Sequence, residues 1–245
     1  MKKILKKLFH QSVWDVLRYY KLIVFKRYRS EQKGIDRKLD KYLDYENGFY
    51  VELGAYDGFT NSNTFFLEKK KNWKGILIEP SLNNFLSCIF YRKKKNKLFC
   101  NACVSFEYNK KYVDFEYAEQ NTLSTNIELD IKNIEEHLNY AKKNLSSICI
   151  DTPIKFGAVA RTLNSILVES NCPKKIDFLS LDVEGAELNV LQGVNFNEYE
   201  FKYMLIECRD INKLSKFLIK YKYNLIDQFN ESNFLFSKKI NSTET

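Results

Sequence analysis

The chain has 245 residues, of which 44% are hydrophobic and 15% aromatic. This composition supports one sizeable α/β domain with a buried core and excludes an intrinsically disordered protein. The formal net charge is +8, but nine of the 39 bases and only one of the 31 acids, Asp15, lie in residues 1–30. Residues 31–245 therefore hold 30 bases (39 less nine) and 30 acids (31 less one). A neutral body excludes a nucleic-acid-binding surface spread over the domain.

Residues 1–30 predict a basic amphipathic helix. Their apolar positions follow helical spacing, at 4, 5, 8, 9, 13, 16, 17, 20 and 24. Asp15, Arg18 and Lys21 interrupt the apolar stretch, which excludes a signal peptide and a membrane span. One interpretation is a peripheral contact with an anionic membrane surface, and the other is a helix that packs on the domain or on a partner. We treat residues 1–33 as an extension and residues 34–245 as the domain.

Alternating helices and strands fill the domain. In chain order, the sequence predicts a helix at 34–46, a strand at 49–54, a helix at 61–72, a strand at 73–80, a helix at 81–95 with a basic end, a strand at 97–105 and a hairpin-like pair near 112–118. It then predicts a polar amphipathic helix at 126–148, a strand turning into a helix at 161–170, a strand at 176–183, a helix at 185–193, a strand at 201–209, a helix at 211–223 and a strand pair at 224–239. This alternation is typical of a mostly parallel sheet covered on both faces, here with an antiparallel end.

The six cysteines do not have the spacing of a disulfide framework. Cys100 and Cys103 form a C-x-x-C pair, which is either half of a zinc or redox site or two buried strand cysteines. A second ligand pair is missing, and the only histidines are His10 and His137. The sequence therefore predicts no metal site and a reduced, cytoplasmic protein.

Open α/β sheets bind ligands beyond the carboxyl ends of their strands. That rule selects residues 52–58, 79–81 and 182–187, and all three segments contain acids. In the first, Gly54 and Gly58 permit a tight turn. A pyrophosphate needs exposed N–H groups without negative charge nearby, but here the carboxylates of Glu52 and Asp57 flank the glycines. Such a loop is either an ordinary turn or a site for a ligand with ammonium, hydroxyl or sulfonium groups.

Glu79 favours the second interpretation. It lies 27 residues after Glu52, the span of one β-α-β step. An acid at the end of the second strand is well placed to accept both ribose hydroxyls of an adenosine-containing ligand. A nucleoside ligand without a pyrophosphate indicates S-adenosylmethionine.

Three segments together resemble the FkbM family of S-adenosylmethionine-dependent methyltransferases. They are FYVELGAYDGFTNSNTFFLEKKKNWKGILIEPSLNNF, KIDFLSLDVEGAELNVLQGV and FKYMLIEC, and the resemblance covers roughly residues 48–238. It implies a Rossmann-like class I methyltransferase fold with seven strands, the last antiparallel. It also implies O-methylation of a sugar hydroxyl in a surface glycan, such as capsule or lipopolysaccharide, or in its precursor. The stretch 126–160 departs from the family pattern as an insert near the active site.

The resemblance also assigns the cofactor-binding residues by position. The methionine end of S-adenosylmethionine would be lined by Glu52, Gly54, Ala55, Tyr56 and Asp57. The ribose would be held by Glu79, with Pro80 and Ser81 beside it, and the adenine would lie near Ala102 to Ser105, including Val104. Asp182 would also contact the cofactor.

Methyl transfer to a hydroxyl needs a positioned acceptor and a base for its proton. Asp182 and Glu184 are the predicted catalytic pair. Glu187, one helical turn further, either points into the same cleft or is a helix-start carboxylate favoured by the helix dipole. His137 is either a second base or incidental, and an amine acceptor stays open.

Two other functions fit parts of the sequence. Asp182-x-Glu184 matches the metal-binding acids of a nucleotide-sugar glycosyltransferase, although the acidic loop at 52–58 offers a phosphate no partner. A non-catalytic, membrane-associated binding module is the other alternative. The basic extension on a neutral body fits an enzyme at the inner face of the cytoplasmic membrane that acts on a lipid-linked glycan.

Overall fold

The computed structural model describes residues 34–117, 122–130, 139 and 154–238. The helix predicted for residues 1–30, with the membrane contact expected of it, lies outside the described residues, and so does His137. Within the described ranges, no helix is long and apolar enough to cross a membrane.

Strands and helices alternate through most of the chain. The strands are β1 (Phe49–Leu53), β2 (Lys74–Ile78), β3 (Lys97–Phe99), β4 (Ala102–Val104), β5 (Tyr112–Tyr117), β6 (Leu123–Ser124), β7 (Ile154–Thr162), β8 (Lys175–Leu181), β9 (Glu200–Glu207), β10 (Tyr223–Gln228) and β11 (Asn233–Lys238). The α-helices are α1 (Ile35–Leu39), α2 (Phe65–Lys70), α3 (Leu82–Tyr91), α4 (Leu163–Glu169), α5 (Glu187–Leu191) and α6 (Ile211–Leu218), the last continuing into a 3₁₀ turn at Ile219–Tyr221. Most helices are shorter than predicted.

Seven strands form the main sheet, in the order β10-β11-β9-β8-β1-β2-β3. All neighbours are parallel except β11, which is antiparallel to both β9 and β10. The prediction of a mostly parallel seven-stranded sheet with an antiparallel last strand is confirmed. This order places β1 and β8 side by side at the centre, where the strand order reverses, and brings Leu53 level with both Ile78 and Leu181.

Side chains point alternately to opposite faces along the strands, and they pack into two cores, one on each face of the main sheet. Tyr50 of β1 faces the core covered by α1, α2 and α3, whereas the adjacent Val51 faces the core covered by α4 and α6. Because both faces are buried, the strands are apolar almost throughout, as parallel strands require. The two cores fix the carboxyl ends of β1, β2 and β8 at one edge.

A second sheet, in the order β4-β7-β5-β6, differs from the prediction. The strand predicted at 97–105 is two strands, and β3 joins the main sheet while β4 joins the second. The hairpin-like pair predicted near 112–118 is instead β5, which pairs antiparallel with both β6 and β7. The sequence predicts no strand at residues 154–160 of β7, because a strand in which only Ala158 is buried has no period-2 pattern.

The helix predicted at 126–148 is wrong for its first five residues. The chain at 126–130 is irregular with bends, and it is held to β5 through Asp114. The Asp114 amide donates to Asn126 Oδ1 (3.0 Å), and the Asp114 carbonyl accepts from the amide of Thr125 (2.8 Å). Such side-chain pairing with a strand competes with a helical start. The rest of that prediction lies outside the described residues, apart from Asn139, which is helical.

Candidate active site

A cavity of about 280 Å³ lies at the carboxyl ends of β1, β2, β8 and β9. Residues of β5, β6 and the loop after β6 also contribute to its wall, so the second sheet encloses it. This edge, at the reversal of strand order, is where open α/β sheets bind ligands. The predicted site residues that line the cavity are Glu52, Gly54, Ala55, Tyr56, Glu79, Pro80, Ala102, Asp182 and Glu184.

Backbone crowding dictates the turn after β1. Gly54 has a φ of 73°, and a Cβ on it would lie 1.7 Å from the carbonyl oxygen of Asp182. Glycine is therefore required. The amides of Gly54 and Ala55 both donate to the carbonyl of Ile78 at 3.2 Å. This one turn holds the ends of β1, β2 and β8 together.

Glu79 is a buried carboxylate at the end of β2. Its Oε2 accepts from the amide of Tyr56 (2.9 Å), and its Oε1 accepts from the amide of Ser81 (3.0 Å) and from Asn84 Nδ2 (3.4 Å). Burial raises the pKa of Glu79 to about 7, although these hydrogen bonds act to lower it. A carboxylate has about four acceptor positions, so Glu79 retains capacity for a hydroxyl donor.

Glu52, at the end of β1, forms a salt bridge with Arg92. The Arg92 side chain is 0% exposed, and its Nη2 lies 2.7 Å from Glu52 Oε2. Ser62 Oγ and Thr64 Oγ1 donate to the two carboxylate oxygens of Glu52 at 2.8 and 2.6 Å. Arg92 Nε also donates to the carbonyl of Gly58 at 2.5 Å. Arg92 thus holds the acid and the glycine loop in one network.

Arg92 has a second carboxylate partner, Glu68 of α2. Its Nη1 lies 3.3 Å from Glu68 Oε2 and 3.2 Å from the hydroxyl of Tyr50. A buried guanidinium is tolerated only when its donors are paired. The contacts to Glu52, Glu68 and the neighbouring hydroxyls meet that requirement.

Acids converge at the ends of β8 and β9. Burial first, and then the neighbouring carboxylates of Glu207, Glu184 and Glu187, raise the pKa of Asp182 well above its ordinary value. Burial also raises the pKa of Glu184, while Arg209, whose Nη2 lies 3.0 Å from Glu184 Oε2, opposes that rise. Asp182 is therefore a strongly basic carboxylate for its type.

The structure places Glu187 outside this cavity, contrary to one of its two interpretations. It lines a separate pocket of about 130 Å³ with Asp130 and Cys208. Its Oε1 accepts from the amides of Val183 (3.0 Å) and Gly185 (3.1 Å), which stabilises the loop at the start of α5. Its Oε2 is buried and has no hydrogen-bond partner among the described residues. Burial raises the pKa of Glu187 to about 8.

Three predicted cofactor residues also lie outside the cavity wall. Both carboxylate oxygens of Asp57 accept from Thr60, one from its amide (2.5 Å) and one from its hydroxyl (2.7 Å), so Asp57 stabilises its own loop. Ser81 is buried and donates its amide to Glu79. Val104 is a buried residue of β4. These residues support the site from behind.

The segment that leads into the predicted insert is anchored on the acidic loop. The amide of Asp130 donates to the carbonyl of Gly185 (2.9 Å), and Asp130 Oδ2 accepts from the amide of Arg209 (2.8 Å). Arg209 therefore lies between Glu184 and Asp130. Thr122, Ser124 and Ile127 of this segment line the cavity, and Asp130 anchors the segment beside it.

Sequence reasoning missed several residues of this site, among them Glu207, Arg209, Asn63 and Arg92. Glu207 and Arg209 follow β9, and the strand-end rule that selected Asp182 would also have selected Glu207. Asn63 lines the cavity, and its Oδ1 is buried with no hydrogen-bond partner within the described ranges. Arg92 had no local signal, because it stands in a run of lysines at a helix end.

The C-x-x-C pair packs as ordinary side chains. Both thiols are free, Cys103 lies in the core covered by α4 and α6, and burial raises its pKa to about 12. In the part of the chain that the structure describes, no group of three or more His, Cys, Asp or Glu side chains is arranged to hold a metal ion.

Comparison with known proteins places this geometry in a family. A family model, the methyltransferase FkbM domain, matches residues 52–229. The chain is 9% identical to each of three solved structures. They are M. capricolum TrmK in complex with S-adenosyl-homocysteine (TM-score 0.33, 82% of this chain and 66% of that chain), precorrin-6y C5,15-methyltransferase from Geobacter metallireducens GS-15 (0.35, 86% and 93%) and human methyltransferase 10 domain containing protein (0.40, 83% and 81%). No curated protein matched the chain.

The family match includes the residues that line the cavity, from Glu52 at the end of β1 to Arg209 after β9. It favours a methyltransferase over the glycosyltransferase that Asp182-x-Glu184 also allowed. By this match, the chain belongs to the FkbM family of S-adenosylmethionine-dependent methyltransferases.

Proposed function

We propose that the protein methylates a sugar hydroxyl in a surface glycan, such as capsule or lipopolysaccharide, or in its precursor. The observation that carries this proposal is Asp182, a cavity-lining carboxylate whose pKa is raised by burial and by surrounding acids. A base of raised pKa is suited to taking the proton of a hydroxyl. Hydrogen-bonding side chains suited to a sugar lie in the same wall, namely Asn61, Asn63, Thr122, Ser124, Glu184, Glu207 and Arg209.

The residues present fit S-adenosylmethionine. Glu79 and Asn63 both offer acceptor oxygens to the hydroxyl and ammonium donors of that cofactor. Arg209 is the only base among the described residues that line the cavity, and acids already bind it, so a pyrophosphate would find no free cation. Glu52, Gly54, Ala55 and Tyr56 remain the proposed wall for the methionine end, and Ala102 the proposed adenine contact.

When bound, the cofactor supplies an electrophilic methyl group on a sulfonium. Asp182, in its ionised form, accepts the proton that the acceptor hydroxyl loses. Glu184, fixed by Arg209, accepts a hydrogen bond from the acceptor and so orients it. Holding the acceptor in place lowers the barrier by itself, and the base adds a further factor of about 10²–10⁴.

Calorimetric titration tests the cofactor assignment. We expect S-adenosyl-homocysteine to bind the full chain and Glu79→Gln to weaken that binding at least roughly tenfold, since the substitution replaces a charged acceptor. Glu231→Gln, an exposed acid in the turn between β10 and β11, is the matched control and should bind like the wild type. Binding of a UDP-sugar with Mn²⁺ in place of S-adenosyl-homocysteine would overturn the proposal.

A transfer assay tests the acceptor. The enzyme is incubated with S-adenosylmethionine carrying a labelled methyl group and with saccharides that bear either hydroxyls alone or an added amine. Label on a hydroxyl oxygen supports the proposal. Label only on the amine, or cofactor binding with no transfer to any saccharide, contradicts the acceptor class and leaves the cofactor assignment standing.

A further inference from the structure

Helix α3 presents four large apolar side chains to the outside. Leu82, Leu86, Ile89 and Phe90 are between 54% and 67% exposed. They are spaced i, i+4, i+7 and i+8, which places them on one face of the helix. The inward face carries Asn84, Cys88 and Tyr91, all buried. This is the reverse of an ordinary surface helix, in which the apolar stripe faces the core.

A lysine cluster extends the same surface. Residues 80–106 contain no Asp or Glu, and Lys93, Lys94 and Lys95, just beyond α3, are all exposed. Partial burial lowers the pKa of Lys95, and repulsion from Lys93, Lys74 and Lys69 adds to the effect. The apolar face of α3 is therefore bordered by positive charge. We call the exposed residues of this surface, namely Leu82, Leu86, Ile89, Phe90 and 93–95, the α3 face.

We propose that the α3 face docks on an anionic membrane surface. An exposed apolar stripe bordered by lysines is the pattern of a helix that lies in the headgroup region, where apolar side chains enter the bilayer boundary and lysines meet acidic lipids. A second copy of the chain fits less well, because its own lysine cluster would meet this one. The chain's residues 1–30 fit less well for the same reason, since they carry nine bases and one acid.

Docking on this face would also orient the enzyme. Pro80 lines the cavity, and α3 begins two residues later at Leu82. The amino-terminal end of the α3 face is therefore adjacent to the cavity wall. If the acceptor is a lipid-linked glycan, a consequence that rests on the proposed function, this placement would bring the cavity near its acceptor. The docking itself requires only the lipid surface.

Vesicle flotation of the full chain tests the proposal. Vesicles of phosphatidylcholine with phosphatidylglycerol should carry the protein, and vesicles of phosphatidylcholine alone should not. The double variant Leu86→Gln/Phe90→Gln should bind at least roughly tenfold less, because two large apolar groups no longer enter the bilayer. Lys94→Gln should bind roughly fivefold less.

The control is Val168→Gln/Ile219→Gln. These residues are also exposed, at 56% and 62%, but they lie on α4 and after α6, which cover the other face of the main sheet. The control should float like the wild type, and all variants should keep their affinity for S-adenosyl-homocysteine. The proposal is overturned if Leu86→Gln/Phe90→Gln floats unchanged, if neutral vesicles bind equally, or if light scattering shows that the substitutions convert a dimer into a monomer.

Discussion

Glu52 and Asp182 lie at the ends of adjacent parallel strands, and both line the cavity, but their surroundings are opposite. Glu52 is paired with a buried guanidinium and two hydroxyls. Asp182 lies among Glu184, Glu187 and Glu207, which raise its pKa. An acid at a strand end is thus not a catalytic group by position alone. Its neighbours determine whether it fixes the structure or takes up a proton.

The largest expected effect is on catalysis at Asp182. Asp182→Asn should lower kcat by about 10²–10⁴-fold, because the base is lost, while the affinity for S-adenosyl-homocysteine changes little. Stability to urea should be equal or higher, since repulsion among the acids falls. Single-turnover methyl transfer measures the effect, and Glu231→Gln is the control. A variant with full activity would show that Asp182 only contacts the cofactor.

The substitution Glu207→Gln tests whether Asp182 is the base. Glu207 is the first neighbour after burial that raises the pKa of Asp182, so its neutralisation should lower that pKa. A base must be ionised to act, and the acid limb of the kcat profile should therefore move to lower pH. A merely structural role of Glu207 would reduce kcat at all pH values without moving the limb.

The next largest effect is on stability at Arg92. Arg92→Met leaves Glu52 and Glu68 buried without their cation and should cost about 3–5 kcal/mol of unfolding free energy. It should also weaken S-adenosyl-homocysteine binding, because Arg92 holds the Gly58 carbonyl. Urea denaturation measures the first effect and calorimetry the second. Arg92→Lys keeps the charge but not the planar fork, so its stability should lie between that of the wild type and that of Arg92→Met. Equal stability of all three proteins would refute the structural role given to this network.

The same contrast explains what could be predicted from the sequence. Gly54 and the acids at 52, 79 and 182 were found because strand ends and close backbone approaches leave local patterns. The sequence places Arg92 in a basic helix end, since nothing nearby in sequence distinguishes a buried arginine from exposed lysines. Its partners Glu52, Ser62 and Glu68 are 24 to 40 residues away. Pairing over such distances depends on the folded sheet.

The second sheet was the other feature that could not be predicted. β7 buries a single residue, Ala158, and β6 has two residues, so neither strand has a measurable alternation. The fold of the main sheet was predictable because its central strands β1, β2 and β8 are buried on both faces. Of the two interpretations of Glu187, the one that places it in the cavity depends on helical spacing from Glu184, but Glu184 has a φ of 54° and lies outside the helix.

A further effect on stability, which depends on pH, is expected at Glu187. Its folded pKa of about 8 lies above the ordinary value, so the folded state binds the proton more tightly than the unfolded chain. The contribution of Glu187 to stability should therefore be full at low pH and fall by up to about 1.4 kcal/mol per unit as pH rises towards 8. Glu187→Gln should remove this slope. Urea denaturation of both proteins between about pH 5 and pH 8 measures the difference. Glu79, Asp182 and Glu184, whose pKa values are also raised, still contribute in the variant, so its slope should be smaller rather than zero, and parallel slopes would contradict the prediction.

The smallest expected effect tests how complete the Arg92 network is. Ser62 Oγ donates to Glu52 (2.8 Å) and accepts from Arg92 Nη2 (2.6 Å) and from the amide of Phe65 (3.1 Å), at the start of α2. Ser62→Ala should cost about 1–2 kcal/mol, because a helix-start bond and a charged pair each lose a partner.

Ser170→Ala is the matched control for Ser62→Ala. Ser170 is buried to a similar degree, but its Oγ has no hydrogen-bond partner in the described part of the chain. Removing an unsatisfied hydroxyl should leave stability unchanged or raise it slightly. Urea denaturation of the two variants thus compares the same chemical change in a paired and an unpaired setting. If both variants lose the same unfolding free energy, the loss comes from packing. The hydrogen bonds to Glu52 would then not explain why its surroundings differ in effect from those of Asp182.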